Sequence, residues 1–289
     1  MTGYRRSVSG LDHIASVFAH ARAAGCAALM PYYTLGYPDG PTSEAVIRAI
    51  AEAGADLIEL GVPFSDPLAD GPTIQRSSQV ALARGMTSAR CLELTGRLRA
   101  GGVRQPLLLM GYVNPILAYG SGRFVADAAA EGANGLIVPD LPPEEAGEIE
   151  AACAAHGLAF IYLAAPTSTS ERLAKLAART TGFLYLVSVT GVTGAREGLP
   201  PDLRAFVERA RAVARTPLAV GFGISTPAQA QAVSQFADGV IVGSALINAV
   251  TGAADPAATA AGFVHTLRGA TARSFVGAPL SKNRVNSPS

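Results

Sequence analysis

A single closed (β/α)8 barrel is the α/β fold predicted for this 289-residue chain, on three observations. Eight short apolar runs alternate with Ala-rich segments of helical period, and no break in composition separates them. The apolar runs are nearly continuous, so both of their faces are buried, as in a parallel sheet covered by helices. The length suits one barrel of about 250 residues, which favours closure over an open doubly wound sheet. Residues 1–289 are therefore expected to form one domain.

The first strand is read at Ala27–Thr34 and is followed by a helical pattern over Ser43–Ala53. Leu57–Gly61 is the second strand. The connection after it, Val62–Val103, has room for an extra helix at Thr73–Ala83 before the regular one. Strands three and four are Leu107–Gly111 and Gly135–Val138, with Glu144–His156 helical behind them. Ala159–Leu163 is strand five, Ser170–Ala178 its helix and Phe183–Val187 strand six. Ser188–Pro201 is rich in Gly and Thr and lacks periodicity. Asp202–Ala214 is helical, Leu218–Phe222 is strand seven, Pro227–Gln235 a helix and Gly239–Val242 strand eight, with a further helix opening at Ala245. The fold is thus a TIM barrel with extra helices in the loops after strands two and eight. Both long loops leave strand C-termini, the rim on which such barrels place their chemistry. The tail, about 276–289, reads as a flexible terminus.

Composition excludes several classes of function. Apolar residues make up 49% of the chain, enough for a large core, and the net charge of +1 gives no electrostatic footprint for nucleic acid or an anionic membrane. Trp is absent and aromatic residues are only 6%, which argues against a stacking platform for bases. Cys26, Cys91 and Cys153 lie far apart without CxxC spacing, the usage of a reduced, cytoplasmic protein. Neither a signal peptide nor an apolar run of about 20 residues is read. The four histidines fall outside the strand-end loops in no ligand spacing, so no metal or other cofactor is expected. Lys175 and Lys282 lie in a helix and in the tail, so no strand-end lysine suits a Schiff base, and a retro-aldol reaction on this chain would have to proceed by proton transfer alone.

The chemistry-bearing stretch is Glu59-Leu60-Gly61-Val62-Pro63-Phe64-Ser65-Asp66-Pro67-Leu68-Ala69-Asp70-Gly71-Pro72. An apolar strand rarely carries a carboxylate, because burying that charge without a partner costs several kcal/mol or shifts its pKa. Glu59 either pairs with a buried Arg, caps a helix, or titrates as a general acid–base group facing Asp70 across a Pro-stiffened loop. Asp66 reads equally as a turn residue capping its own backbone. Three glycine-rich loops form a candidate phosphate cradle: Gly191-Val192-Thr193-Gly194, Gly221-Phe222-Gly223-Ile224-Ser225 and Gly243-Ser244 before a helix. No Walker-type lysine accompanies them, which argues against a nucleoside triphosphate. Asn114-Pro115 reads as a turn start, and Asp140 as a helix-entry residue with Pro142 and Pro143 in the first turn.

Taken together and in this order, these motifs resemble the tryptophan synthase α subunit family from about Pro31 to Ala270. The resemblance implies a barrel lyase that cleaves indole-3-glycerol phosphate to indole and glyceraldehyde 3-phosphate. It also implies an α2β2 complex with a β subunit that carries pyridoxal phosphate and joins indole to serine. Carried over by position, Glu59 is the general acid–base and Asp70 the carboxylate facing the indole N–H. Tyr185 lies near the glutamate and Phe222 forms a wall of the indole pocket. Gly194, Gly223, Gly243 and Ser244 supply the phosphate-binding backbone, and Thr193 sits on a loop that closes over Asp70. Asp66 and the Tyr112-Val113-Asn114-Pro115 loop fall in regions that meet the β subunit. Tyr32 stands where the family's pocket phenylalanine is expected, adding a hydroxyl that needs a partner when buried. Alternatives are a free-standing indole-3-glycerol phosphate lyase serving secondary metabolism, a catalytically silent allosteric barrel, and another phosphate-binding barrel such as a phosphosugar isomerase. The paired carboxylates argue against the silent barrel, and the loop after strand two does not suit the isomerase.

Overall fold

The apolar runs assemble into one sheet that closes on itself in the computed structural model, which describes residues 9–187, 199–221 and 223–273. The strands are β1 (Ala28–Thr34), β2 (Ile58–Gly61), β3 (Leu107–Met110), β4 (Gly135–Ile137), β5 (Ala159–Ile161), β6 (Leu163–Ala164), β7 (Leu184–Val187), β8 (Leu218–Gly221) and β9 (Gly239–Val242). Every pairing is parallel, in the order β5-β4-β3-β2-β1-β9-β8-β7-β6. β5 and β6 end that order on opposite sides, yet only Tyr162 separates them in the chain. They are the two halves of the expected fifth strand. Tyr185 N–H donates to the Tyr162 carbonyl at 3.0 Å and Thr181 N–H to that of Phe160 at 2.9 Å, which closes the barrel.

The helices begin where the sequence offers caps. α1 (Gly10–Ala23) precedes the first strand, an element not read from the sequence, and Ser9 caps it by accepting the Asp12 N–H. α2 (Gly40–Glu52) starts on Asp39, with Pro41 in its first turn. The long connection after β2 holds α3 (Pro72–Ala83), the expected extra helix, and α4 (Ser88–Ala100), capped by Thr87. α5 (Val113–Tyr119) and α6 (Ser121–Ala130) follow β3. α7 (Gly147–Ala155) is shorter than the helix expected over 144–156, because Glu145 N–H turns back onto the Pro142 carbonyl before the helix starts. α8 (Ser170–Arg179) is capped by Thr169, and α9 (Leu203–Arg211) follows. α10 (Pro227–Ser234) opens on a reciprocal capping box between Thr226 and Gln229. α11 (Ser244–Val250) is the extra helix after β9, and α12 (Pro256–Ala270), capped by Asp255, completes the shell. Among the described residues no helix is long and apolar enough to cross a membrane.

The two rims of the barrel differ in their polar chemistry. On the N-terminal rim one device recurs at every second strand. Asp56 accepts the N–H of Leu29 at 2.8 Å, Asn134 that of Leu107 at 2.9 Å, Thr181 that of Phe160 at 2.7 Å and Asp238 that of Leu218 at 2.9 Å. Arg268, Arg99 and Arg211 brace three of the four. These side chains lock neighbouring strands in register, the stabilising task of this face.

On the opposite rim two glycines clear space for aromatic rings. Parallel register pairs point to the same face, so Tyr32, Glu59 and Leu108 share one level inside the barrel, as do Leu163, Tyr185 and Ala219. A Cβ on Gly61 would stand 2.0 Å from Tyr32 Oη, and one on Gly221 2.4 Å from Tyr185 Oη. Gly61→Ala is therefore expected to displace the Tyr32 ring and lower kcat/KM for the chain's substrate at least tenfold while the circular dichroism spectrum is kept. A variant with unchanged kinetics would show that Tyr32 yields freely.

Candidate active site

Glu59 lies inside the barrel on β2, fully buried at 0% exposure. Neither carboxyl oxygen has a hydrogen-bond partner among the described residues. The arginine and helix-cap readings of this residue are thereby removed. Burial alone drives its pKa well above the usual carboxylate range, because the anion would lose its hydration and gain nothing. The residue that the strand pattern singled out is an uncompensated acid at the C-terminal half of a barrel strand.

Asp70 sits in the turn between β2 and α3, 9% exposed. Its backbone is fixed from both sides: its N–H donates to the Pro67 carbonyl at 3.1 Å, and Gln75 Nε2 donates to its carbonyl at 2.9 Å. Burial raises its carboxyl to about 6, and the Tyr112 phenol, which donates to the carboxylate, opposes that rise. Tyr112 Oη also accepts the Ala69 N–H at 3.1 Å. Burial thus favours the protonated form of Glu59, whereas Asp70 titrates lower, at about 6. Both carboxylates weigh electrostatically on Tyr32 and on Tyr185, so the four groups share one mouth. The grip of Tyr112 on Asp70 is invisible in the sequence, since 42 residues and a strand boundary separate them.

Asp66 stands apart from this group. It is exposed, accepts the Ser65 hydroxyl at 2.5 Å, and its carbonyl receives the Leu68 N–H at 3.0 Å, which makes it a turn residue. Leu68 beside it is 93% exposed. An open cleft of about 410 Å³ runs from Phe64 and Leu68 to Asn114 and Asp140, with Tyr112 as the wall it shares with Asp70. Asn114-Pro115 is not a turn start: both residues lie in the first turn of α5, where proline costs no helical hydrogen bond. Asp140 enters no helix of its own. Its carboxylate accepts the Val113 N–H at 2.9 Å and so caps α5 from the neighbouring loop.

Across the same rim Gly243 is the N-cap of α11 and Ser244 its first residue, so the opening amides of that helix have no carbonyl ahead of them. Gly223 follows β8 with φ of +80°, a left-handed conformation. The amides of Ser225 and Thr226 both donate to Gln229 Oε1, at 2.8 and 3.2 Å, which withdraws them from any anion cradle. Thr193, Gly194 and Phe222 lie outside the described residues, as do most of the loop at 188–201 and the tail at 276–289.

This chain matches the family model described as Tryptophan synthase alpha chain over residues 18–273. The chain belongs to the tryptophan synthase alpha chain family. The alpha chain of Roseiflexus sp. strain RS-1 is 52% identical over 261 residues, which cover 90% of this chain and 100% of that relative. The one from Geobacter sp. strain M21 is 54% identical over 237 residues, 82% of this chain and 88% of the relative. Among solved structures, Mycobacterium tuberculosis tryptophan synthase superposes with a TM-score of 0.84 at 41% identity, covering 90% of this chain and 98% of that one. The subunit alpha of Legionella pneumophila superposes with a TM-score of 0.83 at 37% identity, covering 92% and 99%. Family, barrel and the carbon–carbon lyase class acting on indole-3-glycerol phosphate thus agree with the sequence reading.

Proposed function

We propose that this chain cleaves indole-3-glycerol phosphate to indole and glyceraldehyde 3-phosphate in tryptophan biosynthesis, with Glu59 and Asp70 in different roles. The observation that carries this reading is the unpartnered, buried Glu59 on the same rim as the braced Asp70; the mechanism needs the proton on Glu59 and none on Asp70. Protonation of indole C3 places positive charge on the ring nitrogen. Glu59 gives that proton, and Asp70 accepts the ring N–H and stabilises the charge as it develops. The Glu59 carboxylate then takes the proton of the hydroxyl on the carbon bonded to C3. The C3–carbon bond breaks, its electron pair returns to the ring, and the aldehyde leaves. The enzyme ends with its proton restored. Gly223, Gly243 and Ser244 hold the phosphate through backbone amides, together with Gly194, and the loop that carries Thr193 closes over Asp70. Tyr32, Tyr185 and Phe222 surround the ring.

The partner proposed is a tryptophan synthase β subunit in an α2β2 complex, seated on the rim where Leu68 is exposed. The compartment proposed is the cytoplasm. Release of indole from indole-3-glycerol phosphate by the purified chain, alone and with a β subunit, tests both proposals. Slow release accelerated at least tenfold by the partner, with co-elution on size exclusion, is the expected result. Rapid release by the chain alone, with no co-elution, overturns the complex, and no release under either condition overturns the reaction.

A further inference from the structure

We propose that the Tyr32 phenol oxygen is a hydrogen-bond acceptor for the substrate's ring, so that this chain favours indole rings carrying a donor, a hydroxyl or amino group, at the position facing it. The proposal rests on the reaction given above.

The direction of one buried hydrogen-bond chain carries it. Ser77 Oγ donates to the Ile74 carbonyl at 2.8 Å. Thr34 Oγ1 lies 2.7 Å from Ser77 Oγ and 3.4 Å from Tyr32 Oη. A carbonyl only accepts, and a hydroxyl has one proton to give. The Ser77 proton is therefore committed to Ile74, that of Thr34 to Ser77, and that of Tyr32 to Thr34. Thr34 and Ser77 are buried, so water does not interrupt the order. The lone pairs of Tyr32 Oη remain, and Tyr32 keeps 8% exposure inside the barrel mouth.

The placement of the ring says which part of the substrate meets them. A Cβ on Gly243 would stand 3.2 Å from Tyr32 Cβ, whereas one on Gly61 would stand 2.0 Å from Oη. Tyr32 thus runs from the glycine rim proposed for phosphate toward β2. The charge of Asp70 weighs on the phenol more than that of Glu59. A substrate anchored by phosphate at Gly243 and by its ring N–H at Asp70 lies along the same line, with its ring at the hydroxyl end. In a buried site an acceptor left unpaired by the substrate is costly, and a donor that reaches it is favoured.

The test compares indole-3-glycerol phosphates bearing an amino group or a methyl group at each benzene-ring position in turn. The amino-over-methyl ratio of kcat/KM in the native protein is divided by the same ratio in Tyr32→Phe, which cancels electronic effects on C3. At one position this quotient is expected to be about tenfold. Thr34→Val, which removes the acceptor of the Tyr32 proton and turns that proton to the mouth, is expected to bring the native preference at that position down toward the Tyr32→Phe value. A quotient near one at every position overturns the proposal, and an undiminished preference in Thr34→Val overturns the polarity assigned to the chain. Loss of turnover of the unsubstituted substrate by the native protein would instead overturn the reaction itself.

Discussion

Glu59→Gln abolishes turnover and makes the protein more resistant to heat. Both expectations have one cause. The native carboxyl is fully buried with two unsatisfied oxygens, and its pKa is raised well above 4.5 by desolvation. Desolvation thus favours the protonated form that the proposed reaction needs, and a positioned acid of this kind contributes about 10²–10⁴-fold to kcat. The stability effect has a definite sign. A carboxyl whose folded pKa is raised contributes stability that is complete below the unfolded value and is lost as pH rises through the folded value. The native protein thus becomes less stable above about pH 4.5, by up to about 1.4 kcal/mol per pH unit from this group. The amide does not titrate. The melting temperature of Glu59→Gln is expected to exceed that of the native protein by a margin that grows from pH 5 to pH 7, on the order of several degrees by scanning calorimetry. A margin independent of pH would show that Glu59 is ionised in the folded state.

The second large effect concerns Asp70. Its carboxyl, raised by burial to about 6, must be ionised to receive the ring N–H, so kcat/KM should rise with pH through about 6. Asp70→Asn is expected to lose about 10²–10³-fold in kcat together with that acid limb. Tyr112→Phe separates positioning from chemistry. It removes the phenol that donates to the carboxylate and opposes its upward shift, so the acid limb should move above 6 while alkaline rates suffer less. A Tyr112→Phe profile that overlays the native one would mean that the phenol only packs. Stopped-flow indole release over the pH range decides between these outcomes.

The barrel was legible in the sequence because its strands are buried on both faces. Uninterrupted runs such as Leu107–Met110 and Gly239–Val242 leave little choice of element. Glu59 was legible for the converse reason, as the one carboxylate inside such a run. Short-range patterns served less well where one loop completes another. Asp140 looks like the start of its own helix, yet its carboxylate reaches across to Val113. Asn114-Pro115 has the composition of a turn, but proline is equally at home in a first helical turn, and Asp140 supplies the missing cap. The split of the fifth strand at Tyr162 reflects barrel closure, where one strand must serve neighbours at both ends of the sheet order. No local signal announces that. Tyr112 belongs to the same category, since its partners Asp70 and Ala69 lie on a different strand's loop.

The central claim is that this enzyme rests with a proton on residue 59 and none on residue 70. Infrared difference spectroscopy at neutral pH, above the value of about 6 given to Asp70, reads both groups directly. A carbonyl stretch of a protonated carboxylic acid should be present in the native protein, persist in Asp70→Asn and vanish in Glu59→Gln. Its absence from the native spectrum, or its loss in Asp70→Asn alone, would contradict the account.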